Sequence, residues 1–424
     1  MNYLAMNRDE LIAEQQNLLR EYTAFKNMNL KLDMSRGKPS REQLDLSLDM
    51  LKITDYMDSS GADARNYGHL EGIPEARQFF SQILGVSPAE TFVGGNSSLH
   101  LMYHMINLGW NFGFPGAKIP WKDCNKVKFI CPVPGYDRHF RITETFGFEL
   151  ISVPMLPDGP DMDMVEELVR DPAVKGIWCV PVYSNPDGYI YSDNTVTRLA
   201  HMKAAAPDFK IFWDNAYGVH HLGDIRETCP NILQQCRKAG NECRPLLFFS
   251  TSKITFAGSG VAALGACLEI MKAITNYFFS NIISFDKVNQ LRHVRFLKNE
   301  GGIAEHMQKH AEIIAPKFNV VIDTFNKGLA PFGNIARWTE PRGGYFLSLY
   351  TMKGCAARTV ELCRQAGVTL TGAGAAFPYG KDPDDSHIRI APTFPSTKEL
   401  GTAAHLLCVA VRLATVERLL NSER

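Results

Sequence analysis

The sequence has no excess of either charge sign. Its 424 residues include 45 lysines and arginines against 45 aspartates and glutamates, so the formal net charge is +0. A general binder of nucleic acid or of anionic membranes needs a basic excess. The balance argues against both kinds of partner. A charged fraction of 21% and an aromatic fraction of 10% are ordinary for a folded protein.

A long apolar run is also missing. The longest stretch without a charged side chain, 91–117, is broken by glycines, Asn96 and Pro115, so it could not satisfy a membrane interior. The N-terminus carries Arg8, Asp9 and Glu10, which interrupt any apolar core of a signal peptide. We therefore expect a soluble, cytoplasmic protein.

Paired cysteine motifs are absent. None of the ten cysteines forms a C-x-x-C pair, the spacing that indicates a zinc or redox site, so we expect reduced thiols that mostly fill the core.

No metal site is expected. His100/His104 and His306/His310 have the i, i+4 spacing of helical ligands, but neither pair reads H-E-x-x-H and no third ligand is evident. Packing or surface histidines are the preferred interpretation.

The chain does contain an alternation of short β-rich runs and amphipathic segments. Nearly continuous apolar strands separated by helices predict an α/β fold, in which a large domain has a mostly parallel sheet covered by helices on both faces. The predicted strands are 128–131, 148–153, 176–181, 210–213, 246–249 and 262–268, and the predicted helices among them are 74–84, 97–108, 161–170, 193–205 and 269–280.

The pattern changes after this region. It is long and helical from 286 to 327, and a helix at 355–366, a short strand around 388–390 and a helix at 397–418 then predict a smaller α+β domain. We expect residues 1–45 to form an N-terminal arm and part of the small domain. The expected large domain is 46–298, and 299–424 is the small C-terminal domain, joined by a long helix. The helix predicted at 9–29 could serve as a docking arm or as a lid.

Three motifs follow predicted strands, where open α/β sheets place their ligands. They are Tyr183-Ser-Asn185-Pro-Asp-Gly188, Trp213-Asp214-Asn-Ala-Tyr217 and Ser250-Thr-Ser-Lys253. Each alone has an ordinary structural interpretation as a turn, a helix cap or a solvated lysine.

Together the motifs indicate a specific chemistry. A lysine at the end of a buried strand can form a Schiff base, and an aspartate on the neighbouring strand can hold a protonated ring nitrogen. Asn185 and Tyr217 could bond a phenolic oxygen of the ring, and Tyr136 could stack on its face. Gly94-Gly-Asn96-Ser97-Ser98 opens a predicted helix and suits a phosphate group. These features describe a pyridoxal-phosphate site.

At this point the chain resembles the fold-type I pyridoxal-phosphate aminotransferases of class I, and most of all the bacterial aspartate aminotransferases of subgroup Ic. The resemblance extends from Ser35-Arg-Gly-Lys-Pro39 to Arg389. Its motifs occur in the family's order: Tyr67-x4-Gly72, Asn96-Ser-Ser98, Pro134-Gly-Tyr136, Asn185-Pro, Asp214-x-x-Tyr217, Ser250-x-x-Lys253 and Arg389.

The resemblance implies a role for each matched residue. Lys253 would carry the cofactor and shuttle the proton, with Asp214 on the pyridine nitrogen and both Asn185 and Tyr217 on the ring oxygen. Tyr136 would stack on the ring, and Arg389 would pair with the substrate α-carboxylate. The implied phosphate ligands are Asn96, Ser97, Ser98 and Ser250, with Tyr67 from a second subunit of a homodimer. Gly37 would let the backbone approach the substrate.

One position departs from the family pattern. The family usually has an arginine eight residues after the lysine as a phosphate ligand, whereas position 261 here is valine. Ser259 could supply a hydroxyl instead, with less charge neutralisation. The same stretch, Gly258-x-Gly260-x-x-Ala263, formally matches a dinucleotide fingerprint, but it precedes an apolar strand rather than opening a helix.

The expected function is therefore transfer of an amino group between an amino acid and 2-oxoglutarate. L-aspartate is the preferred donor, and alanine or an aromatic amino acid is the alternative. A dicarboxylate needs a second cation besides Arg389, and the sequence leaves several candidates open: Arg36, Lys38, Arg138, Arg141 and Arg292. A pyridoxal-binding DNA regulator is disfavoured, because the residues ahead of the Ser35 motif are too few for a winged helix.

Overall fold

The computed structural model describes residues 2–422 of the chain. The strands are β1 Leu32–Asp33, β2 Thr91–Val93, β3 Lys128–Val133, β4 Glu149–Leu156, β5 Gly159–Pro160, β6 Val174–Cys179, β7 Lys210–Asp214, β8 Pro245–Ser250, β9 Ala262–Gly265, β10 Ala336–Trp338, β11 Leu347–Thr351, β12 Val368–Thr369 and β13 His387–Ile390. The helices are α1 Arg8–Asn27, α2 Arg41–Asp45, α3 Pro74–Leu84, α4 Ser98–Asn111, α5 Asp137–Thr145, α6 Met162–Leu168, α7 Asp193–His201, α8 Ile232–Lys238, α9 Leu268–Phe279, α10 Lys287–Leu297, α11 Glu300–Gly328, α12 Ala356–Gln365 and α13 Thr397–Asn421.

An eight-stranded sheet with the order β2-β9-β8-β7-β6-β3-β4-β5 forms the first hydrophobic core. The pairs β3–β4, β3–β6, β6–β7 and β7–β8 are parallel, whereas β2, β9 and β5 pair antiparallel at the two edges. Strands β6, β7 and β8 are buried along their whole length, which explains their continuous apolar runs. The predicted α/β fold with a mostly parallel sheet flanked by helices is confirmed.

A second hydrophobic core surrounds a three-stranded antiparallel sheet with the order β10-β11-β13. The long helices α1, α11 and α13 pack with α12 in this core. Buried side chains occur on successive positions of α13, so this helix is enclosed by its neighbours and shows no polar face through its centre. The N-terminal segment also joins this half, because β1 pairs in parallel with β12.

The helical stretch predicted over 286–327 is interrupted once. Lys298 ends α10 with a φ of 64°, and Asn299 then caps α11 by accepting a hydrogen bond from the Gly302 amide at 3.0 Å. The sequence reasoning also missed β2, α5 and α8. Within residues 2–422, no helix is long and apolar enough to cross a membrane.

Candidate active site

A cavity of about 530 Å³ lies where the carboxyl ends of the central strands face the second core. Its walls bring together Lys253, Tyr217 and Tyr136 from the first half with Arg389 and Gly37 from the second. The sequence predicted all five as site residues, and segments from both ends of the chain are needed to enclose them.

Lys253 lies three residues beyond the buried strand β8. Its amine is 4.9 Å from the centre of the Tyr217 ring and 6.0 Å from that of Tyr345. The backbone is held as well, because Tyr345 Oη donates to the Lys253 carbonyl at 3.2 Å and is itself fixed by Gln43 at 2.8 Å. Hydrogen bonds therefore hold the backbone of the loop that carries Lys253.

The two predicted tyrosines are protonated at neutral pH. Burial raises the pKa of Tyr136 to about 12, against the opposing effect of the nearby Lys253. Burial and the neighbouring Asp214 carboxylate raise the pKa of Tyr217, with the Arg389 and Asn185 side chains acting in the opposite direction. Both phenols can therefore donate hydrogen bonds to a ligand.

Asp214 ends strand β7 and is 3% exposed. One carboxylate oxygen, Oδ2, is 3.1 Å from His139 Nε2, and the His139 ring stacks on Trp178 with centroids 4.5 Å apart. The other oxygen, Oδ1, is buried and has no hydrogen-bond partner among the described residues. A buried acceptor of this kind calls for a donor, and a protonated ring nitrogen fits it.

His139 was not predicted. It lies on α5 three residues after Tyr136, and it fixes the orientation of Asp214 from a ring that is itself packed against the core. The available signal was its position directly after the Pro134-Gly-Tyr136 motif, on a helix that buries His139 together with Phe140, Ile142 and Thr143.

Arg389 is on β13 and is 7% exposed. Its Nη1 donates to Asp137 Oδ1 at 2.7 Å and to Asn185 Oδ1 at 3.4 Å, while its Nε is buried and has no partner among the described residues. The guanidinium lies 5.0 Å from the Phe346 ring. A Cβ atom at Gly37 would lie 2.5 Å from that ring, so any other residue there would have to displace the Phe346 ring. Asp137 was not predicted as a site residue.

The predicted phosphate loop is assembled at the N-terminus of α4. Ser97 caps this helix by accepting from the His100 amide, and the Ser98 side chain is buried. Ser252, which was not predicted, donates to the Asn96 carbonyl at 3.2 Å and accepts from Ser250 at 3.2 Å. The N-terminus of α4 therefore offers a phosphate group several hydroxyls, the first backbone amides of the helix and the positive end of the helix dipole.

Two predicted phosphate ligands, Ser259 and Tyr67, lie exposed on the surface of the described chain. Ser259 is exposed in the turn Ala257–Ser259, and no hydrogen bond joins its hydroxyl to the phosphate loop in the part of the chain that the structure describes. Val261 is 2% exposed and its amide donates to Thr251 Oγ1, so an arginine there would place a charge in the core. Tyr67 is 76% exposed.

The histidine pairs have ordinary structural partners. His104 Nδ1 is 2.8 Å from Tyr277 Oη, and the buried His306 is 2.8 Å from the Ile254 carbonyl. Burial lowers the pKa of His310 to about 3, so it is neutral. Across residues 2–422, no group of three or more His, Cys, Asp or Glu side chains could hold a metal ion.

Comparisons with known proteins give a consistent result. A family model for aspartate amino-transferase matches residues 6–423. A Corynebacterium glutamicum protein named aspartate aminotransferase is 45% identical over 96% of this chain and 94% of its own length. The crystal structure of an aspartate transaminase from that organism superposes with a TM-score of 0.96, at 43% identity and with 99% of each chain covered.

A more distant structure shares the fold. The α-aminoadipate aminotransferase LysN from Thermus thermophilus, crystallised with N-(5′-phosphopyridoxyl)-L-leucine, has a TM-score of 0.73 at 20% identity, with 95% of each chain covered.

Proposed function

The chain belongs to the aspartate aminotransferase family, and on that premise we propose that it moves the amino group of L-aspartate to 2-oxoglutarate with pyridoxal 5′-phosphate bound through Lys253. The protein is an aminotransferase of fold type I. The observation that carries the cofactor assignment is the buried, unpartnered Oδ1 of Asp214 in the same site as the Lys253 amine.

The residues present fit this cofactor. Asp214 Oδ1 would accept from the ring nitrogen, the Tyr136 ring would stack, and the phosphate would lie at the start of α4 with Asn96, Ser97, Ser98, Ser250 and Ser252. Asn185 and Tyr217 would hold the ring oxygen, and Ser259 stays a proposed phosphate ligand. When bound, pyridoxal phosphate supplies an aldehyde that condenses with amines and a protonated ring that accepts electron density.

In this proposal Lys253 moves the substrate proton, whereas Tyr217 keeps its own. The Lys253 Nζ would be the base that takes the proton from the substrate Cα and holds it. The bracing of its carbonyl by Tyr345 keeps the loop in place while the amine moves. Tyr217 stays protonated because burial raises its pKa, so its hydroxyl can donate throughout the reaction.

Arg389 would bind the substrate α-carboxylate. Asp137 and Asn185 both accept hydrogen bonds from the same nitrogen, Nη1, which fixes the plane of the guanidinium. The unpartnered Nε and the adjacent Nη2 then form one edge that can make a bidentate pair with a carboxylate. Gly37 leaves room for the ligand beside Phe346.

The structure narrows the candidates for the side-chain carboxylate of aspartate. Arg36 and Arg138 line the cavity, are exposed, and form no ion pair among the described residues. Lys38 instead packs on Phe394 at 3.8 Å from its ring centre, and Arg141 pairs with Glu144. Arg292 is not part of the cavity wall. We assign Arg138 and Arg36 to the second carboxylate.

The test compares donors and variants. Turnover of aspartate, alanine and phenylalanine with 2-oxoglutarate should give the highest kcat/KM for aspartate. Arg138→Ala should lower kcat/KM for aspartate about tenfold, or about 1.4 kcal/mol, and leave alanine unchanged. Arg141→Ala is the matched control on the same helix and should change neither. If alanine or phenylalanine is the best donor, the substrate assignment is wrong and the alternative holds.

We also propose a cytoplasmic homodimer in which Tyr67 reaches the phosphate of the partner's cofactor. Tyr67 is exposed, as are the apolar side chains of Phe112, Phe279 and Ile283, which would be costly to leave in water. Sedimentation equilibrium should give twice the chain mass, and Tyr67→Phe should weaken cofactor binding. An active monomer would contradict the shared site.

A further inference from the structure

Two thiols approach each other at one end of the central sheet. Cys243 Sγ and Cys267 Sγ are 3.1 Å apart, about 1 Å more than a covalent S–S bond of roughly 2.05 Å. Cys243 lies just before β8, and Cys267 is the N-cap residue of α9 after β9. The sheet itself holds the two backbones together, because β8 and β9 pair antiparallel with Leu247 opposite Gly265.

The two thiols differ in access. Cys243 is half-buried, whereas Cys267 is 3% exposed. The Cys243 thiol also donates to Glu269 Oε2 at 3.5 Å, and its carbonyl accepts from Lys210 Nζ at 2.9 Å, which ties the residue in position. Among the described residues, no other pair of cysteine sulfurs is in hydrogen-bond contact. The accessible Cys243 is therefore suited to be oxidised first, and the buried Cys267 to form the disulfide with it afterwards.

We propose that Cys243 and Cys267 are a dithiol that a peroxide oxidises reversibly to a disulfide. The Cys243 sulfur takes one oxygen from hydrogen peroxide and becomes a sulfenic acid, with release of water. The Cys267 sulfur then attacks the Cys243 sulfur, the S–S bond forms, and the hydroxyl leaves as a second water. The two thiols lose two electrons and two protons, and a small dithiol such as dithiothreitol reverses the change.

The reaction should be slow. Burial, the hydrogen bond to Cys267 and the nearby Glu269 carboxylate raise the pKa of Cys243 to about 12, so little thiolate is present at neutral pH. Brief exposure to peroxide should leave the pair reduced, and sustained exposure should close it.

The covalent ring would enclose residues 243–267, which include β8, Ser250, Lys253 and β9. Lys253 and Cys243 lie at opposite ends of β8, roughly 20 Å apart at about 3.3 Å per residue. Closing the bond should therefore leave the active-site geometry unchanged. It should raise the thermal midpoint by about 3–6 °C, because a cross-link removes freedom from the unfolded chain.

The experiment counts thiols in the full-length protein. Reduced protein is incubated with 1 mM hydrogen peroxide for increasing times, denatured and titrated with a thiol reagent. We expect ten thiols to become eight, the mass to fall by two hydrogen atoms, and a non-reducing digest to contain a peptide pair joined through Cys243 and Cys267. Dithiothreitol should restore ten thiols.

Three variants make the result decisive. Cys243→Ser and Cys267→Ser should each keep nine thiols under the same treatment, whereas Cys363→Ser, which removes a buried thiol elsewhere, should fall from nine to seven. An unchanged count of ten, or a gain of two oxygens on Cys243 without a linked peptide, would overturn the proposal. Loss of two thiols in Cys243→Ser would do so too.

Discussion

The two walls of the cavity hold their charges in different ways. On the wall formed by β7 and β8, Asp214 is buried and fixed by a histidine that stacks on a tryptophan of the same core. The other wall surrounds Arg389, which is paired with the carboxylate of Asp137, and Arg36 and Arg138 there are exposed and form no ion pair among the described residues. One wall is organised by rings packed in the interior, and the other by cations that line the cavity.

This difference matches the two kinds of ligand in the proposed function. A cofactor that stays bound benefits from a preorganised acceptor, since no rearrangement is needed during each turnover. Substrates enter and leave, so their carboxylates must replace solvent at modest cost. Arg36 and Arg138 are exposed and form no ion pair among the described residues, so a carboxylate that binds them displaces only solvent.

Lys253→Ala tests the first wall and should have the largest effect. Turnover should fall by at least about 10⁴-fold, because in the proposed mechanism Lys253 supplies both the amine that binds the cofactor and the base. The long-wavelength absorbance of the lysine-bound cofactor should vanish, which spectroscopy can measure directly. Lys272→Ala, an exposed lysine on α9, should keep both properties. Full activity in Lys253→Ala would rule out the proposed mechanism.

Arg389→Lys tests whether the substrate side of the cavity can be weakened without changing the cofactor side. The charge is kept but the planar fork is lost, so kcat/KM for both the amino acid and the oxo acid should fall about 100-fold, or about 2.7 kcal/mol. The cofactor absorbance should be unchanged. Arg337→Lys on the same small sheet, outside the cavity, is the control. Loss of the absorbance in Arg389→Lys would show that the walls are not independent.

Asp137→Ala tests the Asp137–Arg389 pair and should have the smallest effect. If Asp137 orients Arg389, the KM for both substrates should rise about tenfold while kcat changes little. Asp137→Asn keeps an oxygen that accepts from Nη1 and should recover part of the loss. A lower KM in Asp137→Ala would instead identify Asp137 as a competitor of the substrate carboxylate.

The sequence predicts the sheet better than its surroundings. Strands β6, β7 and β8 stand out because burial on both faces requires unbroken apolar residues. The three-residue strand β2 and the polar helix α5 carry no comparable signal. Likewise, the break at Lys298 depends on a cap by the Asn299 side chain, which periodicity does not reveal.

The candidate site shows the same limit. Motif order identifies residues whose chemistry is local, such as Lys253 and Asp214. It does not identify His139 or Asp137, because their roles arise from contacts with residues far along the chain. The Asp137–Arg389 contact joins positions 252 residues apart, and only the folded chain brings them together.

The pairing of β1 with β12 has a consequence for biosynthesis. Thr371 donates to the Ser35 carbonyl across 336 positions of sequence, beside the segment that contributes Arg36 and Gly37 to the cavity. A ribosome adds about 5–20 residues per second, so roughly 20–70 s separate the synthesis of Ser35 from that of Thr371. During that time α1 also lacks α13, so the side chains of Leu11, Leu18 and Phe25 stay without this cover until translation is nearly complete.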